Sequence, residues 1–189
     1  KNYIKKTLAS SYLTSGPVCE KAERLLKIKF KKKYAILTNS WTNGLITILL
    51  SLKLKPDDEI IIPACTFVAC ANVIEMVGAK VVFADIDPST KLMDINDCIK
   101  KITKKTKVIM PVHLYGNLFQ TKNLKKKIRK NIMIIEDSAH AFCGEYHNNI
   151  IGKYSDFLVF SFYATKSITC GEGGALVTNH KFLSEKIRS

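Results

Sequence analysis

No apolar run in the chain approaches the roughly 18–20 residues that a membrane-spanning helix needs. The opening KNYIKKTLAS lacks the apolar core of a secretory signal. A soluble, cytoplasmic protein is therefore expected. Six cysteines (Cys19, Cys65, Cys70, Cys98, Cys143 and Cys170) form no CxxC pair, are too sparse for a disulfide scaffold, and in several cases stand in apolar runs. They read as reduced, mostly buried thiols, and no metal site is expected. No GxGxxG follows any strand-like run, and the one glycine cluster, EGG, precedes a strand instead of a helix. This argues against a dinucleotide-binding domain. Collagen, coiled-coil and disordered-tail patterns are missing too, and a 47% hydrophobic composition suffices for one sizeable core.

Acidic residues are scarce, 16 against 30 basic ones, for a net charge of +14. Such an excess could announce nucleic acid or a membrane surface. The lysines, however, cluster at Lys31–Lys33, Lys100–Lys107 and Lys122–Lys130, beside or on expected helices and without interleaved stacking aromatics. Solvated helix faces account for them, so neither partner is expected. The basic surface would favour an anionic small-molecule substrate.

What the chain does have is alternation. Gly16-Pro17 opens a helical pattern of Val18, Ala22, Leu25, Leu26 and Phe30 after a polar, turn-rich lead, and residues 1–33 form this lead and first helix. Residues 34–189 then repeat strand and helix. YAILT (Tyr34–Thr38) is a short strand, and TNGLITILLSL (Thr42–Leu52) a helix with Thr42 as its candidate N-cap. EIIIP (Glu59–Pro63) is a buried strand, TFVACANVIEMVG (Thr66–Gly78) a helix, and KVVFADID (Lys80–Asp87) a strand. KVIMPVHL and NIMIIEDS are strands on either side of a basic helix around Leu124–Lys130. DFLVFSF and ALVT complete the set, and HKFLSEKIRS is an amphipathic helix with no terminator. Continuous apolar strands alternating with helices predict an α/β three-layer sandwich around a mostly parallel sheet of about seven strands.

Ligands in such sheets sit outside the carboxyl ends of the strands. Asp137 ends the apolar run IMIIE, where it is either a helix N-cap or a buried carboxylate in need of a cationic or donor partner. Lys166 follows DFLVFSF by four residues and precedes ITCGEGG. On composition alone it is a snorkelling surface lysine; held in an apolar setting, its lowered pKa would free the amine to form a Schiff base with an aldehyde.

IEDSAHAF, FSFYATKSITCGEGG, NSWTNGL and PACTFVA, in this order of spacing, resemble the motif set of the DegT/DnrJ/StrS family of nucleotide-sugar aminotransferases, which are pyridoxal-phosphate enzymes of fold type I. The resemblance runs from Thr14 to the last residue. Family members are about twice as long, so it implies the N-terminal portion: most of a large cofactor domain, truncated, without the small C-terminal domain. By this resemblance Lys166 binds the cofactor covalently and then moves a proton. Asp137 pairs with the pyridine nitrogen, so that Asp137→Asn should bind cofactor yet lose most turnover. His140 reaches the phenolic oxygen, a core histidine being the alternative, and Phe67 stacks on the ring. Ser161, Thr42 and Asn43 contact the phosphate, the last two at a helix start where free N–H groups favour a dianion.

Trp41 departs from the resemblance, since relatives usually have a small residue there. Gly171, Gly173 and Gly174 permit a tight turn, and Glu172 matches an acidic position of unspecified role. His113 and Tyr115 match positions for which substrate contact and packing stand as equal readings. Thr14, Ser15 and Gly16 suggest a loop near the sugar nucleotide. The implied activity is transfer of an amino group, by family habit from L-glutamate, to a keto-deoxy nucleotide sugar by a homodimer. A non-catalytic or regulatory protein that keeps the fold is the alternative.

Overall fold

The computed structural model describes residues 2–142, 144–146 and 149–188. Among the described residues nine strands and seven helices follow one another: α1 (Asn2–Leu8), α2 (Pro17–Phe30), β1 (Tyr34–Thr38), α3 (Trp41–Ser51), β2 (Glu59–Pro63), α4 (Ala69–Met76), β3 (Lys80–Ala84), α5 (Ile95–Lys100), β4 (Thr106–Ile109), α6 (Thr121–Lys127), β5 (Met133–Asp137), β6 (Glu145–Tyr146), β7 (Asn149–Ile150), β8 (Phe157–Ser161), β9 (Gly174–Thr178) and α7 (Lys181–Arg188). A 3₁₀ turn spans Leu114–Gly116.

Seven strands form one sheet in the order β1-β9-β8-β5-β4-β2-β3, and β6 and β7 make a separate small hairpin. Neighbours from β8 through β3 are parallel, whereas β9 runs antiparallel to both β8 and β1. The strands lack polar alternation because both faces are buried. In β8, Phe157 and Val159 pack among Trp41, Leu45, Ile48 and Leu49 of α3, while Leu158 and Phe160 point to the other layer with Leu26 and Phe30 of α2. In β5, Ile135 joins the α3 side and Ile134 packs with Leu124 of α6. This is the three-layer α/β sandwich, with its main core between the sheet and α3, α4 and α7. Burying one such isoleucine or phenylalanine contributes about 1.5–3 kcal/mol, so these strands hold the frame on which the loops are mounted.

The structure differs locally from the expectations. The N-terminal lead contains α1, a short helix that its lysine-rich polar composition conceals. The helix after β1 begins at Trp41, with Ser40 as N-cap accepting from the Asn43 N–H at 3.1 Å; Thr42 lies inside the first turn. The polar hydroxyl nearest the chain reversal wins the cap. The helix expected from Thr66 begins only at Ala69, and the strand expected to Asp87 ends at Ala84. Beyond Ala84, Asp85 and Asp87 accept backbone N–H groups of a turn, which competes with strand pairing. The basic helix spans Thr121–Lys127, and helix α5 and the β6–β7 hairpin are additional elements.

Of the described cysteines, all free, Cys70 and Cys98 are buried, Cys19 is half-buried, and Cys65 and Cys170 are exposed. The expectation of mostly buried thiols fails where the apolar run around the cysteine turns out to be a loop. Cys143 lies outside the described residues. No helix among the described residues is long and apolar enough to cross a membrane.

Candidate active site

The carboxyl ends of the parallel strands converge on a cavity of about 450 Å³, and β1, β5 and β8 end at this rim of the sheet in Thr38, Asp137 and Ser161, the last two of which line the cavity. Antiparallel β9 starts at this rim, so Gly174 pairs with Thr38 on one side and Ser161 on the other. A Cβ on Gly174 would stand 2.5 Å from Ser40 C and 2.7 Å from Trp41 N. Glycine here lets the glycine-rich turn after Lys166 press directly on the peptide that starts α3.

Thr42, Phe67, Asp137, His140, Ser161 and Lys166 all line the cavity, together with Trp41, Thr66, Glu172 and Gly173. Residues from six separate stretches of chain therefore meet in one place. Asp137 forms the floor at 4% exposure. Its Oδ1 accepts the Ala139 N–H at 3.0 Å, and Cys70 Sγ lies 3.5 Å from its Oδ2. Burial pushes its carboxyl above the usual value, and these two donors, with His113 and His140, offset that only in part. Among the described residues Asp137 has no salt-bridged cation.

His140 Nδ1 accepts the Tyr115 N–H at 3.2 Å, and the two rings stack 5.6 Å apart. Tyr115 reaches this position through a left-handed backbone, φ 52°, that non-glycine residues rarely adopt. Burial, then repulsion from Lys166, depresses the imidazole pKa against the attraction of Asp137. The ring is therefore neutral at pH 7 with its proton on Nε2, available to a ligand. Lys166 itself is half-buried, its backbone N–H bonded to Tyr163 O at 3.0 Å in a tight turn. Ser161 Oγ accepts from the Tyr163 N–H at 3.3 Å, leaving its own proton to donate.

Trp41, whose destination the sequence leaves open, inserts its indole into the main core at 6% exposure while still forming part of the cavity wall. Its Nε1–H has no protein partner among the described residues.

The other expected site residues lie elsewhere. Asn43 does not line the cavity: its N–H is capped by Ser40, and its side-chain amide donates to Asn39 Oδ1 at 2.7 Å. His113 is buried with Glu136, Nε2 to Oε2 at 3.0 Å, and its Nδ1 accepts the Phe119 N–H. The ring is thus locked as the Nε2–H tautomer. Burial opposes ionisation of Glu136, but the hydrogen bond from His113, helped by the Gly152 N–H, outweighs it and holds the carboxyl below its usual value. Tyr115 is 86% exposed beside His140. Gly16 and Ser15 border a separate depression with Glu23 and Arg188, and Thr14 lies by α1. Cys70 and Thr66 are site neighbours that the sequence reading passed over; their i, i+4 spacing could have paired them with each other, but not with Asp137 across the sheet.

Three relatives share this arrangement's fold or sequence. GDP-perosamine synthase of Escherichia coli O157:H7 is 37% identical over 188 residues, 98% of this chain and 52% of that protein. The Helicobacter pylori aminotransferase PseC, involved in the biosynthesis of pseudoaminic acid, superposes with a TM-score of 0.94 at 34% identity, over 99% of this chain and 51% of its own. The structure of NtdA from Bacillus subtilis with bound cofactor PMP matches with a TM-score of 0.91 at 34% identity, over 98% of this chain and 42% of its own. The chain spans about half the length of the curated relatives it matches. Residues 1–189 match the model of the DegT/DnrJ/EryC1/StrS aminotransferase family, and with the α/β fold and the cavity at its strand ends, the chain belongs to that family.

Proposed function

We propose that residues 34–189 are the cofactor-binding part of a pyridoxal-phosphate-dependent aminotransferase that moves an amino group from L-glutamate to a keto-deoxy nucleotide sugar, in amino-sugar or polysaccharide biosynthesis. The observation that carries this reading is Asp137: a carboxylate buried at the cavity floor with two neutral donors and no cation. A protonated pyridine nitrogen supplies the missing partner, and its charge would bring the carboxyl's raised pKa down again. The rest of the cavity fits the same group. The first-turn N–H groups of α3, the Thr42 hydroxyl and the Ser161 hydroxyl offer donors to a phosphate, and the helix dipole adds to them. Phe67, 67% exposed at the mouth, offers a face for a planar ring.

Bound there, the cofactor supplies an aldehyde for the migrating amine and a ring that accepts the electron pair left when carbon loses its proton. Lys166 Nζ holds the cofactor and, when displaced, carries the proton at the substrate carbon. Asp137 keeps the ring nitrogen protonated. His140 donates from Nε2 toward the ring's phenolic oxygen. The basic surface suits an anionic nucleotide sugar, with Tyr115, 86% exposed beside His140, as a substrate-side element. We place the enzyme in the cytoplasm as a homodimer, the pairing being supported by the apolar Val68, 61% exposed next to Phe67.

The test is spectroscopic. Full-length protein supplied with pyridoxal phosphate should show a visible band that borohydride abolishes, that shifts on adding glutamate, and that Lys166→Ala lacks. No band after added cofactor would overturn the assignment, and a band indifferent to glutamate would favour a binding protein without turnover. A panel of nucleotide-linked ketosugars then identifies the acceptor.

A further inference from the structure

Cys70 sits in the first turn of α4 at 0% exposure, with Sγ 3.5 Å from Asp137 Oδ2 and 3.2 Å from Thr66 Oγ1. Asp137 Oδ1 is held separately by the Ala139 N–H. Each carboxylate oxygen thus has one donor from the chain and keeps capacity for a second, charged one. The direction of the sulfur contact follows from charge: only a protonated thiol is tolerated beside a buried carboxylate. Burial, reinforced by the Asp137 charge, pushes the thiol pKa far up, so Cys70 neither ionises nor acts as a nucleophile at physiological pH. With the thiol proton aimed at Asp137, the Thr66 hydroxyl is left to donate to sulfur, giving a chain of donors from Thr66 through Cys70 to the carboxylate.

We propose that Cys70, braced by Thr66, is a positioning residue whose permanent S–H donation fixes the orientation of the Asp137 carboxylate and favours its ionised form. This rests on the reading of Asp137 as the partner of a ring nitrogen. Three other groups act on the carboxylate or share its cavity. His113 approaches from the segment after β4 but spends its Nε2–H on Glu136, His140 is neutral and gives its Nδ1 to Tyr115, and Lys166 lies along the cavity wall. Cys70 is therefore the side-chain hydrogen-bond donor to Asp137 among the described residues. A thiol is a weak donor. It orients the carboxylate without taking up the charge that the ring nitrogen must share, which a strong cationic donor would do.

Two measurements on the full-length protein test this. The first needs no cofactor: the infrared S–H stretching band that disappears in Cys70→Ser should move to higher frequency in Asp137→Asn, where the charged acceptor is gone. A band that stays in place would overturn the hydrogen bond. The second follows the dissociation constant of pyridoxal 5′-phosphate against pH. In Cys70→Val, Asp137 loses a donor and retains its proton to higher pH, so the acid-side loss of affinity should begin about half a pH unit earlier on descending from pH 8. Cys70→Ser, which restores a donor, should return the limb to the wild-type position or below it. Identical limbs in wild type and Cys70→Val would overturn the positioning role. Failure of the wild type to bind cofactor would instead overturn the reading of Asp137, and the infrared shift would still decide the contact itself.

Discussion

Asp137→Asn should make the cofactor-free protein more stable. The carboxyl is 4% exposed, and burial raises its pKa despite the Ala139 and Cys70 donors. A carboxyl that holds its proton more tightly in the folded state favours folding below its unfolded value of about 3.9 and takes stability away as the pH rises toward the raised folded value. At pH 8 the wild type therefore carries the full deficit. For a buried charge relieved by two neutral donors this is on the order of 1–2 kcal/mol, or roughly 2–8 °C in Tm for a chain of this size.

Asparagine keeps the shape and removes the charge. Calorimetry of cofactor-free full-length protein should find the variant more stable at pH 8, with the two converging toward pH 4. Saturating pyridoxal phosphate should then reverse the order. At a hundredfold excess over its dissociation constant the ligand adds about 2.7 kcal/mol to the wild type, whereas the variant, bound through Lys166 and the phosphate donors alone, gains less. A cofactor-free variant less stable than wild type at pH 8 would refute the reasoning, because it would mean that the carboxylate already has a cationic partner.

Gly174→Ala places a methyl 2.5 Å from the Ser40 carbonyl carbon, on backbone that β9 cannot leave without unpairing from β1 or β8. It should cost about 1–3 kcal/mol and weaken inorganic phosphate and cofactor binding together, read by calorimetric titration. Phe67→Ala alters an exposed ring, so the cofactor-free Tm should hardly move, while the dissociation constant for pyridoxal phosphate rises about three- to tenfold. Glu136→Gln removes the charge that the His113 and Gly152 N–H groups share. Because the native carboxyl pKa is lowered, its contribution is present above about pH 4.3 and lost as the pH falls through the folded value. The variant should be less stable by about 1–2 kcal/mol at pH 7, with the gap closing in acid denaturation curves.

The sheet is legible in the sequence because strands such as Glu59–Pro63 and Phe157–Ser161 are buried on both faces and so read as unbroken apolar runs. Strand ends are legible for the same reason in reverse: Asp137 and Ser161 are polar where the sheet stops. Helix α1 is not, since it buries little and carries no periodic signal, and the two-residue strands β6 and β7 are too short to leave a pattern. The site is legible as a set of motifs but not as a set of contacts. Nothing near His113 in the chain announces Glu136, 23 residues away on β5, and nothing near Cys70 announces Asp137, 67 residues on. Trp41 shows the same limit, its indole going to a core assembled from six strands that the local sequence NSWTNGL cannot describe.

In sheet order, β1 touches the other strands only through β9. The strand that leads into α3, among the first made, therefore stays unattached to the sheet until residues 174–178 have emerged from the ribosome. Helix α3 also packs directly on Phe157 and Val159 of β8, so what β9 adds is the pairing of Gly174 with Thr38 on one side and Ser161 on the other. A nascent chain that already carries Asp137 and Lys166 still has an open seam where the phosphate donors should face one another. A chain halted before Gly174 would contain every expected site residue in its sequence, yet lack the strand that joins β1 to β8.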